Sequence, residues 1–255
     1  MTMKLINITS KKGYIDMKPY NSNKSKKEEV QQMFDNIAPT YDKLNHIFSL
    51  SIDKMWRRRV VRLVRRLRPQ RILDLATGTG DLAIAMAKRI DKANIMGVDL
   101  SENMLSVAAE KIRRQGLDDH IVLYQGDAEN LDIADGVLDV VTVAFGVRNF
   151  GNIEVGLQEI MRTLASGGHI VILEFSTPRN PIVRYFYRLY SNHVMKPVGG
   201  LISHDRKAYD YLPDSIEEFP SPDDFMALMR RVGFEGCRRR SQSFGIAQIY
   251  IGRKP

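Results

Sequence analysis

Ile72-Leu-Asp-Leu-Ala-Thr-Gly-Thr-Gly-Asp81 is the stretch whose reading decides the fold. Ile72 to Leu75 reads as a short buried strand, Ala76 to Gly80 as a turn of small residues, and Leu82-Ala-Ile-Ala-Met-Ala-Lys as the start of a helix. That order lets a ligand lie against backbone N–H groups at the helix N-terminus, where no side chain blocks the approach. Asp74 inside the strand and Asp81 behind the glycines place two carboxylates beside the turn. Such a pair repels a pyrophosphate and attracts a sulfonium and an amino-acid ammonium. The expected ligand is S-adenosylmethionine rather than NAD.

The dinucleotide alternative stays open on the glycines alone, because Gly78-Thr-Gly-Asp-Leu-Ala83 also fits the loose G-x-G-x-x-G/A pattern. Asp99, at the end of the next apolar run (Asn94-Ile-Met-Gly-Val-Asp99), suits ribose hydroxyls in either cofactor. The third run, Ile121-Val-Leu-Tyr-Gln-Gly-Asp127-Ala128-Glu129, ends in an acid followed by a small residue. Asp127 there suits an adenine amino group, and Ala128 leaves room for the ring. Strand-end and helix-cap roles explain one of these acids easily, but not all four.

Outward from the glycine turn, strands and helices alternate. The expected strands are 71–75, 94–98, 121–126, 138–144 and 168–175, with helices over 81–90, 102–115 and 153–164. Gly116 reads as a helix C-cap and Gly167-Gly168 as the turn into the fifth strand. A final helix starts at Pro222 and stops at Gly233; two strands, about 235–241 and 246–252, close the chain as a hairpin across Ser243-Phe-Gly245. The fold class is α/β, a mostly parallel seven-stranded sheet with a C-terminal antiparallel hairpin. Residues 27–68 read as a helical lid broken near Ala38-Pro39 and again near Ser49 to Ile52, and 69–175 as the cofactor-binding core. Residues 176–220 form an insertion on the substrate side, and 221–255 the closing helix and hairpin. Residues 1–26, rich in Lys, Asn and Ser, read as a flexible extension, and Met17 is an alternative start.

At 255 residues and 44% hydrophobic content, one globular catalytic domain accounts for the chain. The single Cys237 excludes a disulfide framework and a Cys-based zinc site. No run approaches the length of a membrane span, and the N-terminus is too polar for a secretory signal, so a cytoplasmic location is expected. The formal charge of +8 concentrates in Trp56-Arg-Arg-Arg-Val-Val-Arg-Leu-Val-Arg-Arg-Leu-Arg-Pro69. Val60, Leu63, Val64 and Leu67 fall on one face of a helix and seven arginines fill most of the rest. A solvated face explains them; so does docking on anionic lipid at the inner face of the plasma membrane. Nucleic acid ranks below lipid, since no aromatic-interleaved platform accompanies the arginines.

The apolar fourth strand runs into Ala144-Phe-Gly-Val-Arg148-Asn149-Phe150 at the sheet end where ligands gather. Arg148 there suits an anionic oxygen and Asn149 its orientation; a helix cap and a surface arginine are the alternative.

The chain resembles the quinone-biosynthesis C-methyltransferases, which methylate demethylmenaquinol and, in other organisms, the polyprenyl benzoquinol precursor of ubiquinone. The matching pieces include Tyr41-Asp42-x-x-Asn45, Leu73-Asp-Leu-Ala-Thr-Gly-Thr-Gly-Asp81 and Gly97-Val-Asp-Leu-Ser-Glu-Asn-Met-Leu105. They continue through Gly126-Asp-Ala-Glu-Asn-Leu131, Phe145-Gly-Val-Arg-Asn149, Tyr209-x-Tyr-Leu-Pro-x-Ser215 and the terminal Gly-x-Lys-Pro255. The resemblance implies a Rossmann-like class I S-adenosylmethionine-dependent methyltransferase with an N-terminal lid. It implies cofactor contacts from Thr77, Asp99, Asp127 and Ala128, beside Asp74, Gly78 and Gly80 of the turn. A serine is usual where this chain has Ala144, so a contact there falls to the backbone or is lost.

The substrate so implied, a polyprenyl naphthoquinol, sets the chemistry. A ring carbon beside a deprotonated phenolic oxygen attacks the sulfonium methyl in line, which needs alignment and no metal. Arg148 is the candidate for phenolate stabilisation through a bound water, Asn149 for orienting the ring oxygen, and Tyr41 with Asp42 for lid closure and proton removal. His193 and His204 are alternative bases. Ile182-Val-Arg-Tyr-Phe-Tyr-Arg-Leu-Tyr190 suits a membrane interface, or else a cover over the site or a homodimer contact. An RNA or other small-metabolite methyltransferase, and a non-catalytic cofactor-binding scaffold, are the readings from other classes.

Overall fold

The computed structural model describes residues 17–49, 51–195, 197–198 and 205–255. Seven strands form one sheet in the order β3-β2-β1-β4-β5-β7-β6. They are β1 Arg71–Leu75, β2 Asn94–Asp99, β3 Ile121–Gln125, β4 Leu138–Ala144, β5 Leu164–Phe175, β6 Glu235–Gln242 and β7 Ala247–Arg253. Strands β1 to β5 pair in parallel; β7 runs antiparallel between β5 and β6.

Alternation along the strands builds two cores. Ile72, Ile95, Val140 and Val171 face one side, packed beneath α2 (Ile52–Leu67) and α3 (Asp81–Ala87). Leu73, Val141, Val143 and Ile172 face the other, beneath α5 (Ile153–Thr163) and α8 (Pro222–Val232). Residues of period two, covered on both sides, give the near-continuous apolar runs of a buried parallel sheet. The order reverses at β1, whose neighbours are β2 and β4, and that reversal opens a crevice at the strands' carboxyl ends.

α4 (Glu102–Arg114), α6 (Pro181–Tyr190) and α7 (Arg206–Glu218) complete the longer helices. Side-chain caps start several of them: Ser101 accepts from Met104 N, Asn152 from Glu154 N and Val155 N, and Ser221 from Asp224 N.

Three expectations need correction. α1 (Lys26–Phe48) runs unbroken through Pro39. Proline withholds the N–H that would bond the carbonyl of Asp35; Asn103 Nδ2 donates to that carbonyl instead, at 3.1 Å. The start of β5 lies at Leu164, so Gly167 and Gly168 form an irregularity within the strand rather than a turn before it. The polar stretch before α1 is held from Met17 onward: buried Glu29 accepts from Tyr20 N and Ser22 N, each at 2.6 Å, and from Ser22 Oγ. Residues 1–16 lie outside the described residues.

Candidate active site

The turn after β1 is shaped by left-handed backbone at Ala76 (φ 52°), Gly78 (φ 57°) and Gly80 (φ 78°). An added Cβ at Gly78 meets nothing within 4 Å, so the turn presents bare backbone to open space. That space is a cavity lined by the ends of β1, β2 and β4, the segment after β3, and α1. Asp74, Thr77, Gly78, Asp99, Asp127, Ala128 and Ala144 all line it. Gly80 does not: it packs on α4, where an added Cβ would lie 3.2 Å from Ala108 Cβ, and its place is the junction of turn and helix.

The acids are held by different means. Asp74 is buried and accepts the hydroxyls of Thr77 (2.7 Å) and Thr142 (2.6 Å). Burial still pushes its carboxyl up to about 6, against those hydrogen bonds and the nearby Arg57. Asp99 accepts from Gly78 N (2.7 Å) and Ser101 N (2.9 Å), joining the glycine turn to the start of α4; burial raises its pKa also. Asp81 is compensated by Lys111 at 2.6 Å and Arg57 at 3.7 Å. The two carboxylates beside the turn are therefore not both bare, as their spacing alone suggested.

α1 roofs the cavity with Val30, Phe34 and Tyr41 and is fastened along one side to three loops. Lys27 pairs with Asp127 after β3. Asp35 accepts from Ser101 Oγ (2.6 Å) after β2. Asp42 accepts from Thr79 in the turn after β1 and from Lys111. Asp42 is thus a fastening of the lid, bonded away from a substrate proton. Positions 27, 35 and 42 are about two helical turns apart, which puts them on one face.

Opposite the turn, Phe145 follows β4 in left-handed backbone (φ 61°) and stacks on Phe175 with ring centroids 4.4 Å apart. Asn149 lines the cavity and accepts from the Tyr211 hydroxyl at 3.3 Å. Tyr41 lines it from above; burial raises its phenol pKa, and the Arg148 charge opposes that rise. Arg148 itself sits behind the wall. Its Nη1 donates to Glu174 Oε1 (2.7 Å) and to the Phe145 carbonyl (2.6 Å), and its Nε to Ser215 Oγ (3.2 Å). Glu174 is fully buried. Arg148 is neither a cap nor a surface arginine, and it holds the turn that presents Asn149. His193 is exposed, with Nδ1 3.1 Å from the Leu189 carbonyl; His204 lies outside the described residues.

A model of the ubiE/COQ5 methyltransferase family matches residues 22–254. The chain belongs to that family. The demethylmenaquinone methyltransferase of Bacteroides fragilis is 43% identical over 238 residues, 93% of this chain and 97% of that one. The ubiquinone/menaquinone biosynthesis C-methyltransferase UbiE of Syntrophotalea carbinolica is 44% identical over 225 residues, covering 88% and 94%. Among solved structures, a SAM-dependent methyltransferase of Thermotoga maritima described as a possible histamine N-methyltransferase superposes with a TM-score of 0.61. It shares 17% identity over 89% of this chain and 100% of that one, a likeness of fold alone. The chain has the Rossmann-like fold of S-adenosylmethionine-dependent methyltransferases, as its glycine turn implied.

Sequence reasoning passed over Lys27, Thr142, Glu174 and Tyr211 in this family member. Glu174 had a signal, a charge inside the apolar run Ile170-Val-Ile-Leu-Glu-Phe175, which demands a buried cation. Lys27 had none, since its partner lies 100 positions away.

Proposed function

We propose that this chain transfers the methyl of S-adenosylmethionine to the ring carbon of demethylmenaquinol, giving menaquinol. The observation that carries the reading is one cavity joining a bare, acid-ringed glycine turn to an aromatic chamber of Phe34, Tyr41, Phe145 and Phe150. The 43% identical relative named demethylmenaquinone methyltransferase supports the choice of ring. The open backbone at Gly78 and the buried acids beside it fit the cofactor. Thr77 and Gly78 hold its amino-acid end near Asp74, Asp99 accepts the ribose hydroxyls, and Asp127 with Ala128 takes the adenine edge. Ala144 contributes backbone only. The bound cofactor supplies an electrophilic methyl on a sulfonium.

The protein's part is to align, exclude water and favour the phenolate. Asn149, its carbonyl oxygen already taken by Tyr211, directs its amide N–H groups at the ring oxygen. Tyr41, kept protonated by burial, donates to that oxygen as charge develops. Arg148 is a positioning residue that fixes Asn149 and biases Tyr41 by its charge. The substrate's polyprenyl tail confines it to a bilayer, and we read the chain as working from the membrane surface. No helix among the described residues is long and apolar enough to cross a membrane.

Purified protein with S-adenosylmethionine and reduced short-chain demethylmenaquinol tests this, with the methylated quinone read by mass spectrometry. The benzoquinol precursor runs beside it, because relatives named UbiE carry both quinones in their name. Product from the naphthoquinol supports the proposal. Product from neither, with cofactor binding intact by calorimetry, overturns it.

A further inference from the structure

Most of the large apolar side chains exposed among the described residues gather beside the mouth of the sheet. α6 carries Ile182, Tyr185, Phe186 and Leu189 at i, i+3, i+4 and i+7, and none of its residues is buried. A stripe of that spacing ordinarily faces a core. Phe244, 86% exposed and in left-handed backbone (φ 58°), caps the link between β6 and β7. The adjoining Gly245 abuts Pro178, just before α6, where an added Cβ would lie 3.6 Å from Pro178 Cα. Ile52 and Met55 extend the patch from the first turn of α2. Hydrogen bonds tie these pieces together: Trp56 Nε1 donates to Ser243 Oγ (3.0 Å), and the Tyr190 hydroxyl to the Phe48 carbonyl (2.9 Å).

A basic strip continues from the same helix. Arg59 donates to Gln242 on β6, and Arg62 and Arg66 follow on that side of α2 at i+3 and i+7. Along β6, Arg238 and Arg240 alternate onto the face of Gln242. Arg239, on the opposite face, pairs with Asp223. Arg62, Arg66, Arg238 and Arg240 are exposed and none makes a salt bridge. Two rows of unpaired arginines thus flank an apolar rim.

We propose that this surface docks on an anionic lipid bilayer, with α6 and Phe244 entering the interface and the α2–β6 arginines meeting acidic headgroups. Both halves are what such an interface selects: protruding aromatic and aliphatic groups beside a cluster of cations. A second copy of the chain is a poorer occupant, since a twofold contact over the rim brings like-charged strips together. Nucleic acid has no use for the aliphatic rim. The inference rests on the proposed reaction only in that a polyprenyl quinol resides in the bilayer.

Co-sedimentation of the full chain tests it, using phosphatidylcholine vesicles with and without phosphatidylglycerol. The parent sediments with the phosphatidylglycerol vesicles and is released by about 0.5 M salt. Arg62→Gln, Arg66→Gln, Arg238→Gln and Arg240→Gln together weaken binding at least about fiftyfold, at several-fold per arginine. Phe186→Ser with Phe244→Ser weakens it at low salt, and a Phe186→Trp reporter shifts its emission to the blue on the anionic vesicles. Failure of the parent to sediment at low salt overturns the proposal, as does undiminished binding by the quadruple variant. Loss of a dimer, by light scattering, in the Phe186→Ser and Phe244→Ser variant with unchanged vesicle binding assigns the rim to a second copy instead. RNA binding lost in the quadruple variant, with vesicle binding kept, gives the strip to RNA. Methylation of a short-chain quinol in detergent is read separately; absence of product there overturns the reaction and leaves the docking result standing.

Discussion

Asp74→Asn isolates what the buried carboxylate beside the glycine turn costs the fold. Asp74 is 1% exposed and its pKa lies at about 6 against an ordinary 3.8. At 1.36 kcal/mol per pH unit, the ionised group costs the native state about 3 kcal/mol at neutral pH. Asparagine removes the charge while keeping the hydrogen bonds. Its oxygen accepts from Thr77, and its NH₂ donates to Thr142 Oγ1, whose own hydrogen turns to the Leu73 carbonyl 3.4 Å away. The native carboxyl, with its raised pKa, holds more proton than the unfolded chain between about pH 4 and 6. The Asp74 contribution to stability is therefore lost as pH rises through that window. Asp74→Asn should match the parent near pH 4 and exceed it by about 2–3 kcal/mol at pH 7 and above, measured by urea unfolding without cofactor across the pH range. Cofactor affinity by calorimetry should fall at least about tenfold, since the stabilised variant has lost the acid that attracts the cofactor's cation. A variant no more stable than the parent at pH 7, or a stability difference that does not change from pH 4 to 7, refutes the burial argument.

Arg148→Met leaves Glu174 charged in a fully buried place and should cost about 3–5 kcal/mol. Adding Glu174→Gln should recover much of that loss, and a double-mutant cycle by denaturant unfolding reads the coupling; independent effects would contradict the pairing. Asn103→Ala should cost about 1 kcal/mol in the parent but much less in a Pro39→Ala background, where residue 39 again has an N–H for the Asp35 carbonyl. Equal losses in the two backgrounds would disprove the substitution of one donor for the other. Lys27→Met should tighten cofactor binding about threefold by freeing Asp127 for the adenine, with calorimetry as the readout. Weakened binding would mean that Lys27 holds the loop rather than competing for it.

The periodic elements were legible in the sequence because local chemistry specifies them. Strand β4 falls on the expected 138–144, and Pro222 and Gly233 bracket α8 as their backbone preferences require. Asp74, Thr77, Gly78, Asp99, Asp127, Ala128 and Ala144 could be placed on the cavity wall, since each stands at or just after the carboxyl end of a strand and that end is where a parallel sheet opens; the α1 side of the wall could not. Pro39 misled because the donor that replaces its N–H comes from α4, some sixty positions on. Arg148 misled for the same reason: its partners Glu174 and Ser215 come from β5 and α7, and nothing in Val147-Arg-Asn149 tells whether the guanidinium faces the ligand or the protein. Chain-distant polar pairs were the part left unread.

A rod fastened at Lys27, Asp35 and Asp42 does not lift from one loop alone while it stays straight. Its weakest turn lies at Pro39, between the second fastening and the third, where one backbone bond of the ladder is missing. The roof is thus divided into two leaves, each with its own ties. The leading leaf is held at Lys27 by a partly exposed ion pair and at Asp35 by Ser101 and Asn103, while the trailing leaf is held through Asp42 by both Thr79 and Lys111. With the adenine beside Asp127 as proposed, the leading leaf is the one that must lift to free the base. Each leaf carries a partly exposed ion pair, Lys27 with Asp127 and Lys111 with Asp42, so salt should loosen both and speed cofactor exchange.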